Sequence, residues 1–229
     1  MHIEPGVVDA AKMTLAYGTA AGAVTYAAKE TFSDLRATGV MSYAARSAIA
    51  ALGVFLFFEV LPHFPVGISE VHFILGSTLF LILGAAPAAF GLAAGLLIQG
   101  AFFAPSDMPM YFVNVTTLLV PLFALHALAR RIIPAGTAYV DLKYSQALAL
   151  STAYQGGVVA WVAFWVFYGQ GFGAETMASV LTFGGAYMLV VLIEPLADLA
   201  ILAAAKALRG VDSRGLVTGL VTPRLYNAS

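Results

Sequence analysis

Long apolar runs, interrupted by short polar or proline- and glycine-rich breaks, set the pattern of this chain from residue 7 onward. About 20 apolar residues are what a helix needs to cross the hydrocarbon of a bilayer, and the runs predict seven membrane helices. The first covers residues 7–28, after a short extended segment, 1–6, that ends at the Pro5-Gly6 turn. Within it, Gly18 and Gly22 have the small-xxx-small spacing that predicts close approach by another helix. A polar linker, 29–39, leads to a second helix at 41–61, and the loop 62–70 follows. Residues 71–86 and 87–103 read as two short apolar helices joined by a tight GAAPAA connection. Beyond the loop 104–110 come a fifth helix at 111–133, a polar linker at 134–144, a sixth helix at 145–168 and a glycine-rich turn at 169–173. The seventh helix, 175–208, is longer than a bilayer requires and is expected to tilt or protrude; a polar tail follows at 209–229. The expected architecture is all-α: one integral membrane domain over 1–229, a polytopic helical bundle of about seven spans.

Composition agrees. The chain is 61% hydrophobic and 10% charged, with a mean hydropathy of +0.89, where a soluble domain has roughly a quarter of its residues charged. The absence of cysteine rules out disulfides, iron–sulfur clusters and thiolate metal sites. A net charge of −1 without a basic patch gives no support for nucleic-acid binding. No positive segment precedes an apolar one at the start, as a secretory signal would require. No G-x-x-x-x-G-K-[ST] occurs either, so ATP-driven work would fall to a partner, and no enzymatic activity is expected.

Charge also orients the bundle. With residue 1 outside and seven spans, ten of the eleven lysines and arginines fall at or near the inner side, and Lys12 is the exception. Lys12 has Asp9 one turn earlier as a local partner.

Chemistry concentrates on the outer side. A free amine on Met1, the amide of His2 and its imidazole can chelate one divalent ion. One further imidazole completes a planar four-nitrogen site suited to nickel, copper or cobalt. That arrangement requires that nothing precede Met1. Of the four histidines, His72 stands at the outer start of the third helix, on the same side as His2. It reads either as a ligand or as a satisfied interfacial histidine. His63 is loop decoration or a lid residue, and His126, near the inner end of the fifth helix, is structural. Glu194 and Asp198 share one face of the seventh helix. They either guide a cation or relay protons, or form a hydrogen-bonded pair with a tyrosine or Gln155. Glu59, Glu70, Asp107 and Glu175 crowd the outer rim, where an acidic vestibule would concentrate cations. Met108 and Met110 flank Pro109 and read as packing. Gln99 and Asn114, polar within apolar helices, each need a hydrogen-bond partner.

The chain resembles the CbiM/NikM family, membrane substrate-binding components of cobalt and nickel energy-coupling-factor transporters. The resemblance rests on Met1-His2-Ile3 with Gly6 close behind, on the run HFILGSTL from His72, on the following GAAP turn, and on Ile98-Gln99, Asn114 and Pro121. The stretch FAPSDMPMYFVN is bulkier than the family's glycine-rich pattern. What the resemblance implies is a Ni2+ or Co2+ cargo held by Met1, His2 and His72, with Gln99 and Asn114 supporting the ligands and His63 as support or gate. It also implies a multi-pass protein of a bacterial or archaeal cytoplasmic membrane. Its partners would be the lipid bilayer, a transmembrane coupling protein and ATPase subunits. The competing expectation is a divergent member acting as an accessory subunit of a larger membrane complex.

Overall fold

The computed structural model of the protein describes residues 3–207. Seven α-helices form the bundle: α1 (Met13–Thr38), α2 (Val40–Phe55), α3 (Gly76–Leu83), α4 (Ala85–Phe102), α5 (Tyr111–Ile132), α6 (Tyr144–Gln170) and α7 (Ala174–Ala207). A π-helical turn, Leu56–Val60, extends α2. A two-stranded antiparallel hairpin, β1 (Phe64–Val66) and β2 (Ser69–Val71), precedes α3.

The contacts sort the connections to two ends of the bundle. At the hairpin end, Ile3 meets Ser69 and Asn114, and Lys12 donates to the carbonyl of Gly169 at 2.6 Å. At the opposite end, Arg46 joins Asp34 to Leu83, and Lys206 donates to Leu142 at 2.7 Å.

Among the described residues, five stretches are long and apolar enough to cross a membrane: 40–60, 85–102, 105–132, 144–170 and 174–207. Two of the seven expected spans fall short of that standard, for different reasons. α1 has 26 residues, but its last third carries Lys29, Glu30, Asp34 and Arg36. α3 has only 8 residues and rises about 12 Å, well under the ~30 Å of hydrocarbon; the non-helical residues 72–75 cover part of its path.

Other boundaries move as well. The expected linker 29–39 is helical to Thr38, because Lys, Glu, Arg and Ala are good helix formers. The chain turns only at Gly39, whose φ of 81° suits glycine. The expected helix at 71–86 shrinks to Gly76–Leu83, and Gly84 (φ 96°) alone separates α3 from α4. The loop 104–110 contains a 3-10 turn, Pro105–Met110. The tail 209–229 lies outside the described residues.

Gly18 and Gly22 face outward: a Cβ added to either would meet nothing of the described chain within 4 Å. Close helix contact falls instead between α2 and α4, where a Cβ on Gly95 would stand 2.7 Å from Val54 Cβ. α3 is buried along almost its whole length, with α4 and α5 beside it, and Leu92, Leu118, Tyr154 and Trp165 form the core. Thr116 of α5 accepts hydrogen bonds from Trp161 and Trp165 of α6 at 3.2 and 3.1 Å.

Opposite the hairpin, a cavity of about 610 Å3 is lined by Asp34, Thr38, Arg46, Phe80, His126 and Arg130. Arg46 is buried, and its guanidinium is used throughout. It donates to both carboxylate oxygens of Asp34, to Thr38 Oγ1 at 2.7 Å and to Leu83 O at 2.7 Å, while Nε donates to Ser42. One side chain thereby joins α1, α2 and the end of α3.

Candidate metal centre

The start of the described chain is built into the bundle. Ile3 is fully buried, and its N–H donates to Asn114 Oδ1 at 2.7 Å. It forms an isolated antiparallel bridge with Ser69, and Glu4 N–H donates to Ile68 O at 3.1 Å. Val7 and Val8 are buried behind it. A buried Asn at the start of α5 needs partners for its amide, and the Ile3 N–H serves its oxygen. Residues 3–4 thus act as a third edge on the hairpin, with Asn114 as their anchor.

The hairpin carries that edge. Its two-residue loop, Gly67-Ile68, has glycine at φ 62° in the first central position, as a type II′ turn requires. Alternating residues then place Ser69 inward, fully buried, and His72 follows one residue after β2 ends.

His72 is 1% exposed. Its Nδ1 lies 3.2 Å from Phe73 O. A carbonyl can only accept, so this contact puts the proton on Nδ1 and leaves the lone pair on Nε2, the arrangement a metal-binding imidazole needs. The ring packs on Phe58 at 4.4 Å between centroids. Phe58 belongs to the π-helical turn, whose extra residue per turn re-aims side chains.

The other expected residues divide. Gln99 is buried near the end of α4, and its Oε1 has no hydrogen-bond partner among the described residues. His63 is half-buried before the hairpin, its Nδ1 3.3 Å from Leu61 O. His126 sits about half the length of α5 away from Asn114, about 18 Å by helical rise, and is 3.9 Å from Glu30. Met108 packs its sulfur over Gly100, where a Cβ would stand 2.7 Å from it, and Met110 is buried. Met1 and His2 lie outside the described residues. Among the described residues no three His, Cys, Asp or Glu side chains cluster as a metal site.

A family model for the cobalt uptake substrate-specific transmembrane region, CbiM, matches residues 2–210. The chain belongs to the CbiM family. Comparison with curated proteins and with solved structures gives no match. A CbiM-family chain is a multi-pass membrane component of metal-ion uptake, and the helices above supply that character.

Acids surround the hairpin end of this CbiM-family chain. Partial burial pushes the Glu4 carboxyl above its usual range, and the neighbouring carboxylates of Asp107 and Glu70 push it further. Two carboxylates close enough to raise the proton affinity of a third make, with it, a mouth that favours cations. Of the rim acids expected from sequence, Glu70 and Asp107 belong to this group, and Glu4 is the member that sequence reasoning missed.

Glu194 and Asp198 are both buried, on the inner face of α7. Glu194 accepts from the backbone N–H groups of Ile74 and Leu75 and from the Gln155 amide. Asp198 accepts from Ser77 Oγ at 2.5 Å. Phe58 and Ser69 also escaped the sequence reading. The alternation around Val66-Gly67-Ile68 was a hairpin signal for Ser69, whereas nothing in the residue pattern marks a π-helical turn.

Proposed function

We propose that this CbiM-family chain captures Ni2+ or Co2+ from the exterior and delivers it within an energy-coupling-factor importer of a bacterial or archaeal cytoplasmic membrane. It would work with a transmembrane coupling protein and ATPase subunits. The ion is held by the Met1 amine, the His2 amide and ring, and His72 Nε2. The observation that carries this reading is the anchoring of Ile3 to Asn114 and Ser69, one strand position from the segment that holds His72. The bridge is antiparallel, so from Glu4 to Ile3 the chain runs toward the His72 end of β2. Asn114 supports the site by holding the Ile3 backbone.

Arg36, Arg46, Arg130, Arg131, Lys143 and Lys206 gather away from the hairpin, which supports a cytoplasmic placement of that end and an exterior N-terminus. Ser106, at the hairpin end, and Ala135, at the opposite end, are both exposed. A cysteine at Ser106 should react with an impermeant thiol reagent in intact cells, and one at Ala135 only after permeabilisation. The reverse pattern places the capture site on the wrong face.

The capture reading is tested by calorimetry with Ni2+ and Co2+ on protein bearing its native N-terminus, beside His72→Ala. Wild type is expected to bind one ion. His72→Ala keeps three nitrogen donors and should bind more weakly, without losing the ion altogether. Failure of the wild-type chain to bind either ion would leave the accessory-subunit reading in its place.

A further inference from the structure

Only four residues, 72–75, separate β2 from α3. They include His72 and end at Leu75, which has φ 49° and ψ 32° and is the single non-glycine residue with positive φ among those described. A leucine in that left-handed conformation crowds its Cβ against the backbone and persists where its surroundings hold it.

The hold comes from α7. Glu194, fully buried, presents one carboxylate oxygen to Ile74 N–H and the other to Leu75 N–H, the latter at 3.1 Å. Gln155 of α6 donates its amide to the same carboxylate. The Tyr187 hydroxyl donates to Gln155 Oε1 at 2.7 Å, which turns the NH2 end of that amide toward Glu194. A carboxylate at membrane depth is expensive. Glu194 meets no lysine or arginine among the described residues, and three N–H donors serve it instead. They are drawn from α6 and from the backbone two and three residues beyond His72.

We propose that Glu194 is a positioning residue for His72: by gripping the backbone at Ile74 and Leu75, with Gln155 and Tyr187 setting its orientation, it fixes where the imidazole points. The proposal rests on the capture reading above. It removes Glu194 from the groups that would carry a cation or a proton along α7. Phe58 confines the ring from one side and the Phe73 carbonyl fixes its tautomer; Glu194 fixes the main chain from which the ring extends.

The test titrates NiCl2 into the full chain with its native N-terminus, following heat and the visible absorption of the bound ion. The proteins compared are wild type, Glu194→Gln, His72→Ala and the double variant. Glu194→Gln keeps size but replaces one acceptor oxygen by an NH2, so one of the three donors loses its partner. It is expected to weaken Ni2+ binding about 10–100-fold, as loss of a ligand's outer support does. It should also shift the spectrum of the bound ion toward that of His72→Ala. The double variant should bind no more weakly than His72→Ala alone, since a residue acting through His72 has nothing left to position.

A Glu194→Gln protein with wild-type affinity and spectrum overturns the proposal. So does a double variant whose losses multiply, because the carboxylate would then act apart from His72. If Glu194→Gln does not fold, Tyr187→Phe decides. The same spectral shift with a smaller loss supports the clamp, and an unchanged protein refutes it. Wild type that binds no Ni2+ removes the capture reading itself and this role with it. Wild type that binds while His72→Ala matches it leaves capture standing and removes the positioning role.

Discussion

Adding a single residue ahead of Met1 is expected to abolish high-affinity Ni2+ or Co2+ binding although every side chain is retained. The added peptide bond converts a basic amine into an amide and deletes one of the four proposed nitrogens. Disturbing a ligand's outer support weakens a site about 10–100-fold, so removing a ligand should exceed ~100-fold. Geometry adds to chemistry. Ile3 is fully buried and its amide is fastened to Asn114. Two residues therefore have at most about 7 Å of reach in which to present the amine, and an extension shifts it. Calorimetry on native and one-residue-extended proteins checks this directly. Equal affinities would mean that the amine is no ligand and that the ion is bound elsewhere. Chelation also displaces protons from the amine and the imidazoles, with reference pKa values of about 8 and about 6.5. Affinity should therefore fall as pH drops through that range.

Asp34→Ala is expected to be among the most destabilising single changes in the chain. Arg46 is 2% exposed and Asp34 19%, so the substitution strands a charge that water hardly reaches. Breaking a buried pair in this way costs about 3–5 kcal/mol. For a chain of this size each kcal/mol moves Tm by roughly 2–4 °C, so thermal unfolding in detergent should fall by about 6–20 °C. Arg46→Met should be milder, because it leaves a carboxylate that is partly at the surface and fills the site with an apolar side chain of similar length. An Asp34→Ala protein that melts like wild type would show that Leu83, Thr38 and Ser42 satisfy the guanidinium unaided.

Much of the bundle was legible because apolar length is a strong signal in a membrane. The runs at 111–133, 145–168 and 175–208 match α5, α6 and α7 to within a few residues. Polarity misled where it meant a solvated helix face: Lys29, Glu30 and Arg36 lie on α1, not on a linker. The third helix is shorter than its apolar run implies because residues 72–75 are as apolar as a helix yet do not form one. Their conformation depends on Glu194, 119 or 120 residues away, and no local pattern encodes such a partner. At the site, His72 and Asn114 stood out as polar residues in apolar surroundings. Ser69, Phe58 and Glu4 did not, since each matters through what the hairpin and the π-helical turn bring beside it.

The bond from Ile3 to Asn114 joins residues 111 apart in sequence. During synthesis, at about 5–20 residues per second, Ile3 must wait roughly 6–22 s before its anchor exists. Through that interval four helices and the hairpin emerge while Ile3, Val7 and Val8 lack their burial site. The hairpin end of the bundle is therefore closed by a segment made early and fitted late. A nascent chain arrested before α5 would leave Ile3 open to proteolysis, and completion of α5 would supply the anchor that ends that exposure.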